Sequence, residues 1–187
     1  MFYSKRLFGL FYLVAGLMAA CNNGSSGDQA KSQDDSRYFS ADRSVSILAP
    51  AKWTVKTAEL PRGVKLFLQS PSEGVLDAFG EYIMINEDAL ADGDALADYI
   101  GFLINRPSPE FEELSVIKDS TLEISGQPAR MVVFRAKHRE QGGTVVLMNY
   151  FVQSGRVVYM INAGTLPSTY ETWGAKLQQL CLTFRLE

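Results

Sequence analysis

At 187 residues the chain has the length of one ordinary domain, and its 47% hydrophobic and 21% charged residues exclude global disorder and a multi-span membrane protein. Lys5 and Arg6 are the only charges in the first twenty positions, which leaves 16 basic against 21 acidic residues beyond them, a net charge of −5. An acidic remainder lacks the positive field that neutralises phosphates, so no nucleic-acid partner is expected and electrostatic adhesion to anionic headgroups is disfavoured.

The chain opens with a short basic stretch, Met1 to Arg6. Fourteen apolar residues follow, Leu7 to Ala20, ending in small side chains directly before Cys21. This is the layout of an export signal. As a helix the apolar stretch would reach about 21 Å, short of the roughly 30 Å of a bilayer core, so a cleaved leader fits better than a permanent anchor. Leu17-Met18-Ala19-Ala20-Cys21 resembles the bacterial lipobox, with Met18 in place of the preferred leucine. That resemblance implies a lipoprotein precursor, with residues 1–20 removed and Cys21 as the lipid-attachment residue. Two or more palmitate-type chains, at about 0.8 kcal/mol per buried methylene, would hold it to the membrane essentially permanently. Asn22 stands where an aspartate in enterobacterial lipoproteins signals inner-membrane retention, which favours the periplasmic face of an outer membrane. Residues 22–37 (NNGSSGDQAKSQDDSR) contain no large apolar side chain and are expected to form a flexible tether, spanning about 20–25 Å on average.

From Tyr38 to Glu187 the pattern is that of a globular domain rich in strands. Short apolar runs bounded by turn residues predict strands over 44–48, 64–69, 79–86, 115–118, 120–124, 129–137, 144–153 and 156–163. Gln153-Ser154-Gly155-Arg156 and Gln141-Gly142-Gly143 supply hairpin turns, making the second half an antiparallel meander. Helical spacing of Leu96, Ile100, Leu103 and Ile104 predicts a helix over 94–106, capped by Asp92 or Asp94 and stopped by Pro107. A second helix follows Pro167, with Ser168 and Glu171 in capping-box spacing and Tyr170, Trp173, Leu177, Leu180, Cys181 and Phe184 at helical intervals. In 145–152 both alternate rows are largely apolar, so that strand needs cover on both faces, with the Asn149 amide expected to find a local partner or an edge. The fold class that satisfies this is α+β, an antiparallel sheet sandwiched between helices.

The order of these elements resembles the PsbP-like superfamily, which includes the bacterial DcrB-type lipoproteins. The resemblance runs from Tyr38 to Phe184. It is carried by Ala49-Pro50-Ala51-Lys52-Trp53-Thr54-Val55, the helix around Leu96 to Ile104, Ile124-Ser125-Gly126-Gln127-Pro128-Ala129, Gly155-Arg156-Val157-Val158-Tyr159 and the closing helix. It implies an α/β/α sandwich and an accessory or interaction domain, often without enzymatic activity.

The residues themselves point away from an enzyme. The lone histidine, His138, sits beside a hairpin turn and reads as a solvated residue. No G-x-S-x-G is present, and one His with one Cys beyond Cys21 cannot build a zinc site. Cys181, between Leu180 and Leu182, reads as a small core hydrophobe with no disulfide partner. Asp88, Asp92, Asp94 and Asp98 cluster without the spacing of a calcium loop and read as solvated or capping acids, with calcium as the alternative. Glu110, Glu112 and Glu113 read as a solvated acidic loop. Glu123, Glu140 and Glu171 offer acid–base chemistry only if the fold gathers them. No catalytic, metal or cofactor-binding residues are assigned, and no cofactor is expected. The leading expectation is a lipid-anchored accessory domain with an envelope protein partner. Small-ligand or lipid binding between sheet and helix comes second, and an envelope hydrolase third.

Overall fold

The computed structural model describes residues 35–72, 74, 79–106, 111–139 and 142–187. Residues 1–34, on which the expected leader, Cys21 and most of the expected tether fall, lie outside the described residues, as do Pro107, Pro109, Glu110, Glu140 and Gln141. In chain order the elements are β1 (Ser36–Phe39), β2 (Val45–Ala49), β3 (Thr54–Lys56), β4 (Val64–Gln69), β5 (Tyr82–Ala89), α1 (Leu96–Asn105), β6 (Phe111–Ile124), β7 (Gln127–His138), β8 (Thr144–Ser154), β9 (Val157–Thr165), α2 (Tyr170–Cys181) and β10 (Arg185–Leu186).

Seven strands form one antiparallel sheet in the order β3-β4-β5-β9-β8-β7-β6, and β2 holds β1 and β10 in a separate three-stranded sheet. The second half is the expected meander. Ser125 and Gly126 turn β6 into β7 with φ of +56° and +72°, the two left-handed residues that a type I′ hairpin requires.

The apolar rows of β8 are covered on both sides. Val146, Met148, Tyr150 and Val152 pack with Ile83, Ile85 and Ile161 beneath Leu177, Leu180 and Cys181 of α2 and Val45 and Ile47 of β2. Leu147 and Phe151 point the other way, into a second cluster with Met84, Phe134 and Met160 beneath Tyr99 and Ile100 of α1. The α2 layer is therefore broader than a helix alone, because the small sheet shares it. Trp53 enters that layer with its ring centroid 5.9 Å from that of Trp173.

Several expectations change. The globular part begins two residues earlier than position 38, since Ser36 and Arg37 belong to β1 and Arg37 Nη1 donates to Ser46 Oγ at 2.8 Å and to the Thr183 carbonyl at 3.1 Å. The two strands expected over 115–124 are one continuous β6, kinked by a register shift between Val116 and Lys118. Ala95 precedes α1 with no side-chain cap bond, so neither Asp92 nor Asp94 caps it. Thr169, not Ser168, occupies the N-cap of α2, and its hydroxyl is engaged elsewhere. No helix among the described residues is long and apolar enough to cross a membrane.

An ion triad ties the small sheet to the large one. Lys65 Nζ of β4 lies 2.6 Å from Asp42 in the β1–β2 turn and 2.7 Å from Glu87 of β5. Lys65, with the Ser40 and Ser44 hydroxyls, holds the Asp42 carboxyl well below the usual carboxylate range. A lowered folded pKa stabilises the fold above the unfolded value of about 3.9, and that contribution is lost as pH falls through the window below it. Asp42 is half exposed, so solvent screening limits the contribution, and Asp42→Asn is expected to cost about 0.5–1 kcal/mol at pH 7. In urea titrations the gap to the wild type should narrow between pH 7 and pH 2; a constant gap would contradict this account. Leu177→Ala, at a fully buried site, should cost about 2–5 kcal/mol in the same assay, while Leu182→Ala at an exposed one stays within about 0.5 kcal/mol.

Candidate functional site

The two edges of the large sheet differ. β3, at one edge, is three residues long and offers little template for pairing. β6, at the other, runs for fourteen residues, and among the described residues no strand pairs with its outer side. Its middle carries the large exposed hydrophobics Leu114, Val116 and Ile117, at 38%, 46% and 47% exposure. Ion pairs fasten β6 to β7 on either side of this stretch. Lys137 Nζ lies 2.7 Å from Glu112, and Arg130 grips Asp119 through two bonds of 2.8 and 2.5 Å. Each pair favours its charged forms, raising the Lys137 and Arg130 pKa values and lowering those of Glu112 and Asp119. The result is an apolar strip framed by satisfied charges, along unpaired backbone.

A buried polar cluster lies where β4, β5, β9 and α2 meet. Glu81, 3% exposed, accepts from the Thr165 and Thr169 hydroxyls, both at 3.1 Å, and from Ser70 Oγ at 3.2 Å. Thr165 and Thr169 are themselves 2.8 Å apart, which leaves the N-cap hydroxyl of α2 committed to this knot. The arrangement stitches strand ends to a helix start and offers no reactive group.

A third polar feature lies on the α1 side of the sheet. Asn86 of β5 is fully buried, and both atoms of its amide lack a hydrogen-bond partner. Asn162 of β9 and Asn149 of β8 sit directly opposite each other across the ladder, both partly exposed. Beside them Tyr99 Oη donates to Asp88 Oδ2 at 3.0 Å; burial, then the Asp88 charge, pushes the phenol pKa far up, so it stays a donor.

The structure disperses the other residues singled out from sequence. His138 is not a solvated turn residue: β7 extends to include it, it is 8% exposed, and its ring meets Phe111 edge-on at 5.8 Å. Asn149 lies in an interior strand and not at an edge. Cys181 is fully buried, and burial pushes its thiol pKa far up, so it packs as a hydrophobe. Asp92 reaches Arg156 at 2.6 Å, while Asp88 serves Tyr99. Among the described residues no group of three or more His, Cys, Asp or Glu side chains could hold a metal ion. Glu123 and Glu171 are exposed on separate elements, β6 and α2. Sequence reasoning missed Glu81, Asn86 and Asn162; only the interruption of apolar strands by a polar residue could have flagged the asparagines.

No family model matches the chain, and no curated protein matches it in sequence. Solved structures match its fold. Cyanobacterial PsbP (CyanoP) from Synechocystis superposes with a TM-score of 0.57 at 13% identity, covering 88% of this chain and 98% of that one. The Ran-binding protein Mog1p of Saccharomyces cerevisiae gives 0.56 at 12% identity, with coverage of 83% and 96%. LpqN, involved in cell envelope biogenesis of Mycobacterium tuberculosis, gives 0.56 at 13% identity, with coverage of 82% and 90%. The chain thus has the PsbP-like α+β fold that the order of its elements resembles.

Removing the Glu81 acceptor should be expensive, because three hydroxyls would lose their shared partner inside the protein. Glu81→Ala is expected to cost about 1–3 kcal/mol in urea unfolding, against less than about 0.5 kcal/mol for Glu123→Ala at an exposed site. Equal effects of the two would show that the buried cluster contributes nothing specific.

Proposed function

We propose that the chain is a lipid-anchored envelope lipoprotein whose PsbP-like domain has a non-catalytic accessory role, binding an extended segment of another envelope protein along β6. The observation that carries this reading is the outer side of β6, where Leu114, Val116 and Ile117 are exposed beside unpaired backbone on the longest strand of the sheet. A strand added there would gain main-chain hydrogen bonds, and its side chains would meet the apolar strip. The framing ion pairs and the kink after Val116 limit indiscriminate pairing, as edge strands need. Lipid on Cys21, with the polar stretch after it, would keep the domain near such a partner and raise its effective concentration. Two fold relatives bear names consistent with this reading, one as a Ran-binding protein and one as involved in cell envelope biogenesis.

Two measurements on the full chain in its native host test it. Labelled palmitate should enter the wild type and not Cys21→Ser, with the variant leaving the membrane fraction; label retained by the variant would remove the anchor. A photo-crosslinking amino acid at position 117 should give a discrete adduct in intact envelopes, diminished by Val116→Asp. The same probe at position 182, exposed at the end of α2, serves as control. Adducts no stronger from 117 than from 182 would overturn the β6 interface.

A further inference from the structure

The asparagines beneath α1 carry an inference separate from the β6 reading. Asn86, Asn162 and Asn149 share the α1 face of three adjacent strands, β5, β9 and β8. Asn162 and Asn149 are directly opposite, which brings their Cβ atoms to about 4.5–5.5 Å. Asn86 is opposite Met160, two residues along β9 from Asn162, a diagonal of about 7–8 Å. The row is thus continuous, with a partly exposed end at Asn149 and Asn162 and a closed end at Asn86. At the closed end a donor and an acceptor are both buried without a partner, an arrangement that folding disfavours unless something else satisfies them. Asn162 Nδ2 is weakly committed, to the Met160 carbonyl at 3.5 Å.

The chemistry around the row narrows what could bind. The nearby charges on this face are already engaged, Asp88 by Tyr99 and Arg130 by Asp119, which favours neither an anion nor a cation. The cross-strand neighbours are apolar: Met160 beside Asn86, Met84 beside Asn162 and Val132 beside Asn149. The N–H and C=O of a trans secondary amide point in opposite directions, so one asparagine of the row can accept from the N–H while another donates to the carbonyl, and the methionine side chains suit a methyl or alkyl flank. We propose that this row binds a neutral ligand bearing a secondary amide with a small alkyl flank, such as an N-acetyl group on a sugar or a peptide.

Titration of the 15N-labelled full chain in detergent micelles, observing the asparagine side-chain amides, tests the proposal. N-acetylglucosamine and N-acetylalanine methylamide are the probes, and glucose is the control without an amide. Saturable shifts of the Asn86, Asn149 and Asn162 amides with either amide probe, and none with glucose, are expected. The responding probe identifies a sugar or a peptide source. Asn162→Ala should weaken binding at least about tenfold with little change in melting temperature. Asn86→Leu should abolish binding while leaving the free protein as stable as the wild type or more so, which a merely structural asparagine would not do. No saturable shift with either amide probe, an equal response to glucose, or a bound water at Asn86 as the row's one occupant would overturn it.

Discussion

The constraint on which the rest of the architecture depends is that the central strands are apolar on both faces. β8 sends Val146, Met148, Tyr150 and Val152 one way and Leu147 and Phe151 the other, so both faces of the sheet need cover over most of its centre. Seven strands at about 4.8 Å spacing make a sheet roughly 29 Å across, while a helix with its side chains is about 10–12 Å wide. One helix per face cannot cover it. On the α2 face the shortfall is made up by the small sheet of β1, β2 and β10. α1 is the one described helix on the opposite face. There the sheet emerges from cover toward β6, where Leu114, Val116 and Ile117 are exposed, and Asn149 and Asn162 are reached by solvent.

Buried polar groups divide along the same line. Glu81 lies at the end of the well-covered region, and three hydroxyls meet its two oxygens, so its desolvation is offset by hydrogen bonds drawn from β4, β9 and the start of α2. That network also specifies how α2 enters, because the N-cap hydroxyl is bound to it. Tyr150 is buried in the α2 layer with an unpartnered hydroxyl, but its ring fills the centre of the core, where the area it removes from water outweighs one lost bond. Asn86 has no such compensation. A leucine there would fill similar volume without stranding two polar atoms, so packing alone gives no reason for the amide.

Much of this fold was legible because its signals are local. The two-sided apolar pattern of 145–152 called for a covered sheet, the hairpin residues around Gly142 and Gly155 marked the meander, and helical spacing located α1 and α2 to within a few residues. What escaped was set by contacts distant in sequence. β10 is too short for any periodicity and exists through pairing with β2, some 140 residues earlier. The capping-box spacing at Ser168 pointed one residue too early because Thr169 is recruited by Glu81, 88 residues away. His138 looked like a turn residue since Lys137-His138-Arg139 is polar, yet the alternation of β7 carries its ring inward against Phe111. The candidate site was legible in one residue of three. Asn149 stood out within an apolar run, but its alignment with Asn162 and Asn86 needs the registers of β8, β9 and β5.

Relatives sharing this fold at 12–13% identity carry names as different as a Ran-binding protein and a protein of cell envelope biogenesis. A fold reused in this way cannot itself supply the function, which must lie where its members are free to differ. In this chain the α2 layer has little such freedom: it is closed by a helix, a small sheet, a tryptophan pair and the Glu81 knot, and changes there reach the core. The α1 side is different. A ten-residue helix with two buried side chains leaves uncommitted surface beside it, and the substitutions that would alter that surface need not disturb the opposite layer. An apolar edge and a row of amides therefore occupy the part of the sheet that stability constrains least, where selection for binding would act at the smallest cost to folding.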